Sequence, residues 1–241
     1  MSAVFFIQLF IALLLFLIGW GIRKKETYDL ISGFATRPRE EQEELINNGY
    51  VKKATMLLMT TGIGMLILLP LSFTPFPFSI EVQFGFLLVY LLGGTIYLSK
   101  YEVEKKRKRS YIFSTILFCV VISGVSILYS YGYRDFDLVL REDSFEVSGM
   151  YGDEWTYNDI VQVELLEEMP NIKWKENGFG LSTRAKGHFD VDGHGSSLLF
   201  IHKDSSPYLY IKLENHKDIF INTSNSDEIL DWYEKLKEYT N

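Results

Sequence analysis

The stretch that decides the fold runs from Tyr111 to Val147 and reads YIFSTILFCVVISGVSILYSYGYRDFDLVLREDSFEV. Up to Tyr131 it contains no charged side chain, and such a run is long enough to cross the roughly 30 Å hydrocarbon core of a bilayer as one helix. After Gly132 polar and apolar residues alternate in short runs, as they do in half-buried strands. This stretch therefore joins a predicted membrane-spanning helix to a predicted β-rich domain.

Three further apolar runs precede this stretch, so the N-terminal half is predicted to hold four transmembrane helices. The three runs are Ala3–Ile22, Ala54–Phe73 and Val82–Ser99. The basic residues 23–25 follow the first run, which is the reverse of the polarity of a cleaved signal peptide. We therefore expect an uncleaved helix with its N-terminus outside, a helical domain over residues 1–131 and a soluble domain over residues 132–241.

The distribution of basic residues predicts the orientation. The loop 23–53 carries seven Lys/Arg and the loop 100–110 carries six, whereas the turn 74–81 carries none. Loops rich in Lys and Arg stay in the cytoplasm, so we expect the turn 74–81 outside. With four crossings the N-terminus and the C-terminal domain are both extracytoplasmic, and this prediction fails if one run does not span.

A short helix is predicted inside the loop 23–53, from about Pro38 to Asn47. Proline suits the first helical turn, the carboxylates of Glu40 and Glu41 suit the positive end of the helix dipole, and Gly49 suits its end. This helix is interpreted as a solvated connector, with a binding element as the alternative. The basic run 105–109 either sets the topology or attracts anionic lipid headgroups.

The predicted membrane half carries no ionisable residue at depth, which disfavours a proton-coupled transporter or a pump. Its last helix has small and hydroxyl residues on one face, and such a stripe predicts close helix packing. The stripe consists of Thr115, Cys119, Ser123, Ser126 and Ser130. Because Cys119 is the single cysteine, the chain can form neither an internal disulfide nor a thiolate metal site.

Charge separates the two halves. Residues 1–131 carry a net charge of +4, whereas residues 132–241 carry 11 Lys/Arg against 22 Asp/Glu, a net of −11. This sign disfavours nucleic acid and anionic lipid as ligands of the soluble domain. It favours a peptide, a protein or a cationic ligand, and an exposed sheet edge could accept an extended peptide by strand addition.

The soluble domain is predicted to contain about seven antiparallel strands and one terminal helix. The helix begins near Ser224, with Ile229, Trp232, Tyr233 and Leu236 at helical spacing. Residues 203–207 and 214–217 are predicted as hairpin turns. The predicted strands are 137–141, 144–148, 154–157, 160–166, 198–202, 208–213 and 218–222.

The segment from Met169 to Leu236 resembles a known family. Its motifs include Asn177-Gly178-Phe179-Gly180, Gly187-His188-Phe189, Gly193-His194-Gly195 and the terminal Trp232-Tyr233-Glu234-Lys235-Leu236. They are similar to small PH-like domains on membrane proteins of Gram-positive bacteria, including the domain type of the sublancin immunity protein. The resemblance implies a PH-like barrel or sandwich with one C-terminal helix, and it implies no catalytic, cofactor-binding or metal-binding residue. The membrane half resembles, more faintly, small membrane proteins of unknown function from such bacteria.

Four potential metal ligands alternate at His188, Asp190, Asp192 and His194. On one strand, neighbours in such a series lie about 6.6 Å apart and its ends about 20 Å apart, so they could share an ion only if the chain folds back. We interpret them as a solvated hairpin face. The carboxylates of Glu164, Glu167 and Glu168 and the side chains of His202 and His216 are likewise predicted as surface. The sequence contains no G-x-S-x-G elbow and no Gly-rich phosphate loop.

These patterns predict a non-enzymatic multi-pass membrane protein without a cofactor. Its acidic domain is expected to bind a peptide or protein at the cell surface, with bacteriocin immunity as the concrete version. The alternative is a membrane scaffold or assembly subunit with a regulatory PH-like domain. Nucleic acid is not expected as a partner, and the sequence leaves the oligomeric state open.

Overall fold

The structure, a computed structural model, describes residues 3–31 and 33–239. Its helices are α1 (Ala3–Lys25), α2 (Arg39–Asn47), α3 (Tyr50–Leu68), α4 (Ser79–Leu98), α5 (Glu104–Tyr133) and α6 (Ser226–Lys237). Its strands are β1 (Leu138–Leu140), β2 (Ser144–Val147), β3 (Glu154–Thr156), β4 (Ile160–Leu166), β5 (Ile172–Gly180), β6 (Arg184–Val191), β7 (Gly195–His202), β8 (Tyr208–Leu213) and β9 (Ile219–Ile221). Two compact units divide after Ser126, within α5. We call residues 1–126 the helical unit and residues 127–241 the β unit.

Four helices, α1, α3, α4 and α5, are long and apolar enough to cross a membrane. The shortest of the four spans has 22 residues, or about 33 Å at 1.5 Å per residue, which matches the hydrocarbon core. The predicted fold class is confirmed, because these helices precede a β-rich region that ends in one helix.

Two glycines let α1 and α3 pack closely as antiparallel neighbours. A Cβ atom on Gly62 would lie 2.6 Å from the carbonyl oxygen of Ala12, and one on Gly19 would lie 2.8 Å from the carbonyl oxygen of Thr55. Only glycine permits this approach, which is typical of helix contacts in membranes.

The connection between α1 and α3 folds onto the start of α5. The guanidinium of Arg37 donates two hydrogen bonds to the carboxylate of Glu102, at 2.6 and 2.9 Å, and Glu102 is 4% exposed. The Glu102 hydrogen bond raises the pKa of Arg37. Phe34 and Leu45 form a small apolar core with Val103. The short helix predicted here is confirmed by α2.

The small-residue stripe of α5, which we expect to pack against another helix, faces outward in this chain. All five of its residues are exposed. Helix α5 instead uses the neighbouring face: Ser110 and Ser114 contact Ser99 through their hydroxyl groups, and Ser114 is buried. Successive residues point about 100° apart around a helix, so a contact through Ser114 turns Thr115 outward.

The β unit is a sandwich closed by α6. Strands β1–β3 form one sheet, and the other six form a second sheet in the order β4-β8-β9-β7-β6-β5. Side chains of both sheets and of α6 share one core, which includes Phe145, Phe200 and Trp232. Asn225 precedes helix α6 as its N-cap, and its side chain accepts a hydrogen bond from the Asp227 amide.

The prediction of the β unit was wrong in three respects. It missed β5 and β6, because five consecutive exposed residues in β5 hide the alternation. The segment 203–207 is not a hairpin turn, since β7 and β8 pair with β9 and not with each other. The pairing of β7 with β9 is parallel, so the sheet is not wholly antiparallel. The hairpin at 214–217 is confirmed by the antiparallel pair β8–β9.

Candidate ligand-binding surface of the β unit

Strand β5 lies at the edge of the six-stranded sheet and pairs only with β6. Residues 173–177 are all exposed, and Trp174 is 58% exposed. An edge strand offers unpaired backbone groups to another chain. Two register shifts in β5, before Trp174 and before Asn177, are of the kind that limits uncontrolled edge pairing.

A groove begins where β5 begins. It consists of two adjoining hollows of about 280 and 360 Å³ between the β4–β5 and β7–β8 connections. Ile172, the first residue of β5, lines the groove together with Met169, Ile201 and Tyr208. The edge strand and the groove therefore form one continuous surface, with an apolar floor at the strand's first residue.

The wall formed by residues 203–206 is held in place by side-chain hydrogen bonds. The buried Asn222 amide donates to the carbonyl oxygens of His202 and Ser205, at 3.0 and 2.7 Å. The Tyr208 hydroxyl donates to the Lys203 carbonyl oxygen at 3.2 Å. The Lys203 ammonium donates to the Leu181 carbonyl oxygen at 2.5 Å. These hydrogen bonds hold the wall in one conformation, so the groove is already formed without a ligand.

The rim of the groove is acidic. Glu167, Glu168 and Asp204 line it, all three are exposed, and no hydrogen bond or ion pair engages their carboxylates among the described residues. Burial, and then the charge of Asp204, raises the pKa of Tyr208. An apolar floor beneath unpaired carboxylates suits a ligand that presents a cation beside an apolar group.

The alternating histidines and aspartates do not form a metal site. The chain folds back at Gly193 and Gly195, where φ is 80° and 71°, but His188 and His194 then meet different partners. His188 Nδ1 lies 3.2 Å from the Lys217 ammonium, and His194 Nδ1 lies 3.4 Å from a carboxylate oxygen of Asp218. Within residues 3–31 and 33–239, no three His, Cys, Asp or Glu side chains are placed to hold a metal ion.

The cluster around Lys217 is closed rather than open to a ligand. Its ammonium donates to Ser196 Oγ at 2.5 Å and to a Glu176 carboxylate oxygen at 3.3 Å, in addition to the His188 contact. An ammonium has three donors, and all three are occupied. Burial, and then the charge of Lys217, lowers the pKa of His188. The Ser196 hydrogen bond lowers the pKa of Glu176.

The other two histidines differ in environment. His202, predicted at the surface, is half-buried and packs edge-on against Phe136, with ring centroids 5.5 Å apart. Burial, and then the charge of Arg184, lowers the pKa of His202. His216 is exposed, as predicted.

Strand β6 holds the end of α5 through two cations that the sequence did not single out. Arg184 donates to the Tyr133 carbonyl oxygen and to the Asp135 carboxylate, both at 2.8 Å. The fully buried Lys186 donates to the Arg134 carbonyl oxygen, and burial lowers its pKa. Cations at a helix C-terminus stabilise its free carbonyl groups, so the last turn of α5, which belongs to the β unit, is held against β6.

Comparison with known proteins finds a match to a family model within the helical unit. Residues 9–102 match the family model described as Domain of unknown function (DUF3784). This match covers α2, α3 and α4 and the connection that carries Arg37. No curated protein and no solved structure matches the chain.

Proposed function

We propose that the protein is a non-enzymatic membrane protein whose β unit binds a cationic peptide or protein segment in extended form. The single observation that carries this proposal is the continuity of the exposed edge strand β5 with the acidic groove at Ile172. Strand addition supplies affinity through backbone hydrogen bonds, and an adjoining pocket supplies specificity.

Charge supports a cationic ligand. Residues 132–241 carry a net charge of −11, and Glu167, Glu168 and Asp204 add unpaired carboxylates at the groove. Such a field attracts cations and raises their rate of association.

The ligand is proposed to arrive from outside the cell. The Lys/Arg bias of the loops supports an extracytoplasmic β unit, and the resemblance to PH-like domains of the sublancin-immunity type supports a role in bacteriocin immunity or in the cell envelope. Deleting the gene should then sensitise cells to a cationic antimicrobial peptide. Unchanged sensitivity across a broad peptide panel would refute the immunity role.

The binding site is tested with the full-length protein in lipid nanodiscs. We expect labelled cationic peptides from an extended-sequence panel to bind, and Glu167→Gln/Glu168→Gln/Asp204→Asn to weaken binding at least tenfold. The matched control, Glu214→Gln/Glu234→Gln/Glu238→Gln, removes the same charge from exposed positions outside the groove and should weaken binding less than threefold. Equal losses in both variants would refute the groove as the site.

A second function, as an assembly subunit, is favoured by the outward-facing stripe of α5. Thr115, Cys119 and Ser123 are exposed along a helix that is predicted to lie in lipid, and small residues of this kind pack against other membrane helices. We expect a stoichiometric partner in mild detergent that Ser123→Leu releases. A monodisperse monomer would count against this function.

A further inference from the structure

Two lysines and two tyrosines meet at one end of the helical unit. The hydroxyl groups of Tyr97 and Tyr101 lie 2.8 Å apart. The Lys53 ammonium lies 5.8 Å from the centre of the Tyr101 ring and beside the Tyr97 hydroxyl. Lys100 lies between the two tyrosines in sequence, and its side chain is exposed. We call these four residues the Lys–Tyr cluster.

Close helix packing explains why the cluster forms. A Cβ atom on Gly94 of α4 would lie 2.3 Å from a methyl carbon of Leu57 of α3, so these two positions are level with each other. The helices are antiparallel, and one turn further on Lys53 reaches the level of Tyr97. Tyr97 and Tyr101 stand four residues apart and therefore share a helix face.

The positive charge of the cluster is not neutralised by the protein. Neither Lys53 nor Lys100 forms an ion pair among the described residues, whereas Lys106 pairs with Glu41 at 2.7 Å. Glu102, the carboxylate nearest to Tyr101 in sequence, forms an ion pair with Arg37.

The cluster also has the right position for a lipid. It closes the span Ser79–Tyr101, and the end of a spanning segment lies at the membrane–water interface, where tyrosines gather. Tyr97 is 51% exposed, so this face looks away from the helical unit.

We propose that the Lys–Tyr cluster binds the phosphate group of an anionic phospholipid. The two ammonium groups, and the tyrosine hydroxyl that accepts the hydrogen bond from the other, are donors suited to phosphate oxygens. The aromatic rings are suited to lie against the upper acyl chains. Each lysine near an anionic surface contributes about a fivefold preference, and two contribute about 25-fold. The site is independent of the function proposed for the β unit.

The test counts lipids retained by the full-length protein. Purified protein is equilibrated with equal amounts of phosphatidylglycerol and phosphatidylcholine, and bound lipids are counted by native mass spectrometry. We expect at least a tenfold preference for phosphatidylglycerol, reduced to less than threefold in Lys53→Gln/Lys100→Gln and retained in Lys53→Arg/Lys100→Arg. Tyr97→Phe/Tyr101→Phe, which keeps both rings, should reduce the preference by twofold or more.

The matched control is Lys52→Gln/Lys108→Gln, which removes the same charge from exposed residues in the same two basic loops. It should leave the preference within twofold of the unmodified protein. No preference in the unmodified protein, or equal losses in both glutamine variants, would overturn the proposal. An excess of soluble glycerol phosphate should not displace the lipid, and displacement at equal concentration would overturn a lipid as the occupant.

Discussion

Carboxylates at the start of α5 in the helical unit and carboxylates at the groove of the β unit are used in opposite ways. In the helical unit, Glu102 accepts two hydrogen bonds from Arg37, and Glu44 accepts one from the backbone at the start of α5. At the groove of the β unit, Glu167 and Asp204 have no such partner among the described residues. The comparison shows which acidic residues hold the fold together and which are free to meet a ligand, a distinction that net charge alone does not make.

The largest loss of stability should come from breaking the ion pair between Arg37 and Glu102. Glu102→Gln removes the nearer countercharge of the Arg37 guanidinium, whose side chain is 21% exposed, and leaves the longer ion pair with Glu41 at 3.6 Å. We expect a loss of about 3 kcal/mol in the free energy of unfolding, measured as a lower midpoint of thermal or denaturant unfolding in mild detergent. Glu43→Gln, a control at an exposed position of α2, should change little, and equal effects of the two variants would contradict the pairing argument.

Acid should weaken the β unit through its half-buried histidines. Folding lowers the pKa of His188 and His202, whereas the unfolded chain binds protons near pH 6.5. Above that pH both histidines are neutral in the folded and in the unfolded state, so they do not change the free energy of unfolding. As the pH falls below 6.5, the unfolded state gains protons that the folded state resists, so the free energy of unfolding decreases.

We therefore expect the β unit to melt at a lower temperature at pH 5.5 than at pH 7.5. The loss should be smaller in His202→Gln, as followed by the near-ultraviolet circular dichroism of the full-length protein. An identical loss in this variant would show that other groups cause the acid sensitivity. The pKa of Glu176 is lowered in the folded state. Its protonation therefore reduces the free energy of unfolding only at a lower pH, below about 4.5.

An exposed ion pair in α6 should contribute little to stability, and it serves as a reference for the buried pair. Asp231 and Lys235 of α6 lie 2.7 Å apart, but their side chains are 55% and 56% exposed. Surface pairs of this spacing contribute about 0.3–0.5 kcal/mol. Asp231→Asn should therefore shift the unfolding midpoint barely measurably, and a shift comparable to that of Glu102→Gln would undermine the use of burial to rank these contacts.

The smallest effect on stability should come from neutralising the carboxylates at the groove. Glu167→Gln/Glu168→Gln/Asp204→Asn removes three unpaired charges of the same sign, so no favourable contact is lost. We expect the unfolding midpoint to stay unchanged or to rise slightly, while peptide binding falls. A clear loss of stability would mean that these carboxylates serve the fold.

The helices were predictable because their signals are local. Uninterrupted apolar runs predicted the four spans, and Pro38 with Glu40 and Glu41 predicted α2. The pairing of Arg37 with Glu102 joins residues 65 positions apart, and nothing in either local sequence indicates the other.

The candidate surface was predictable only in outline. Net charge and the idea of strand addition pointed to an acidic, edge-binding domain, but β5 lacks the expected alternation and was missed. The groove unites two connections that the buried Asn222 helps to position, so Glu167 and Glu168 read as ordinary surface residues in the sequence. Lys186 is charged, yet it is buried beside the C-terminal end of α5, which period-two patterns do not anticipate.

The most direct test of the account is the side of the membrane on which the β unit lies. A protease is added to intact cells that express the protein with a C-terminal tag, and a lysed sample serves as the control. The account predicts that the tag is cleaved in intact cells, because four crossings with the basic loops in the cytoplasm would place the β unit outside. A tag that is protected until lysis would contradict the account, since the acidic groove would then face the cytoplasm.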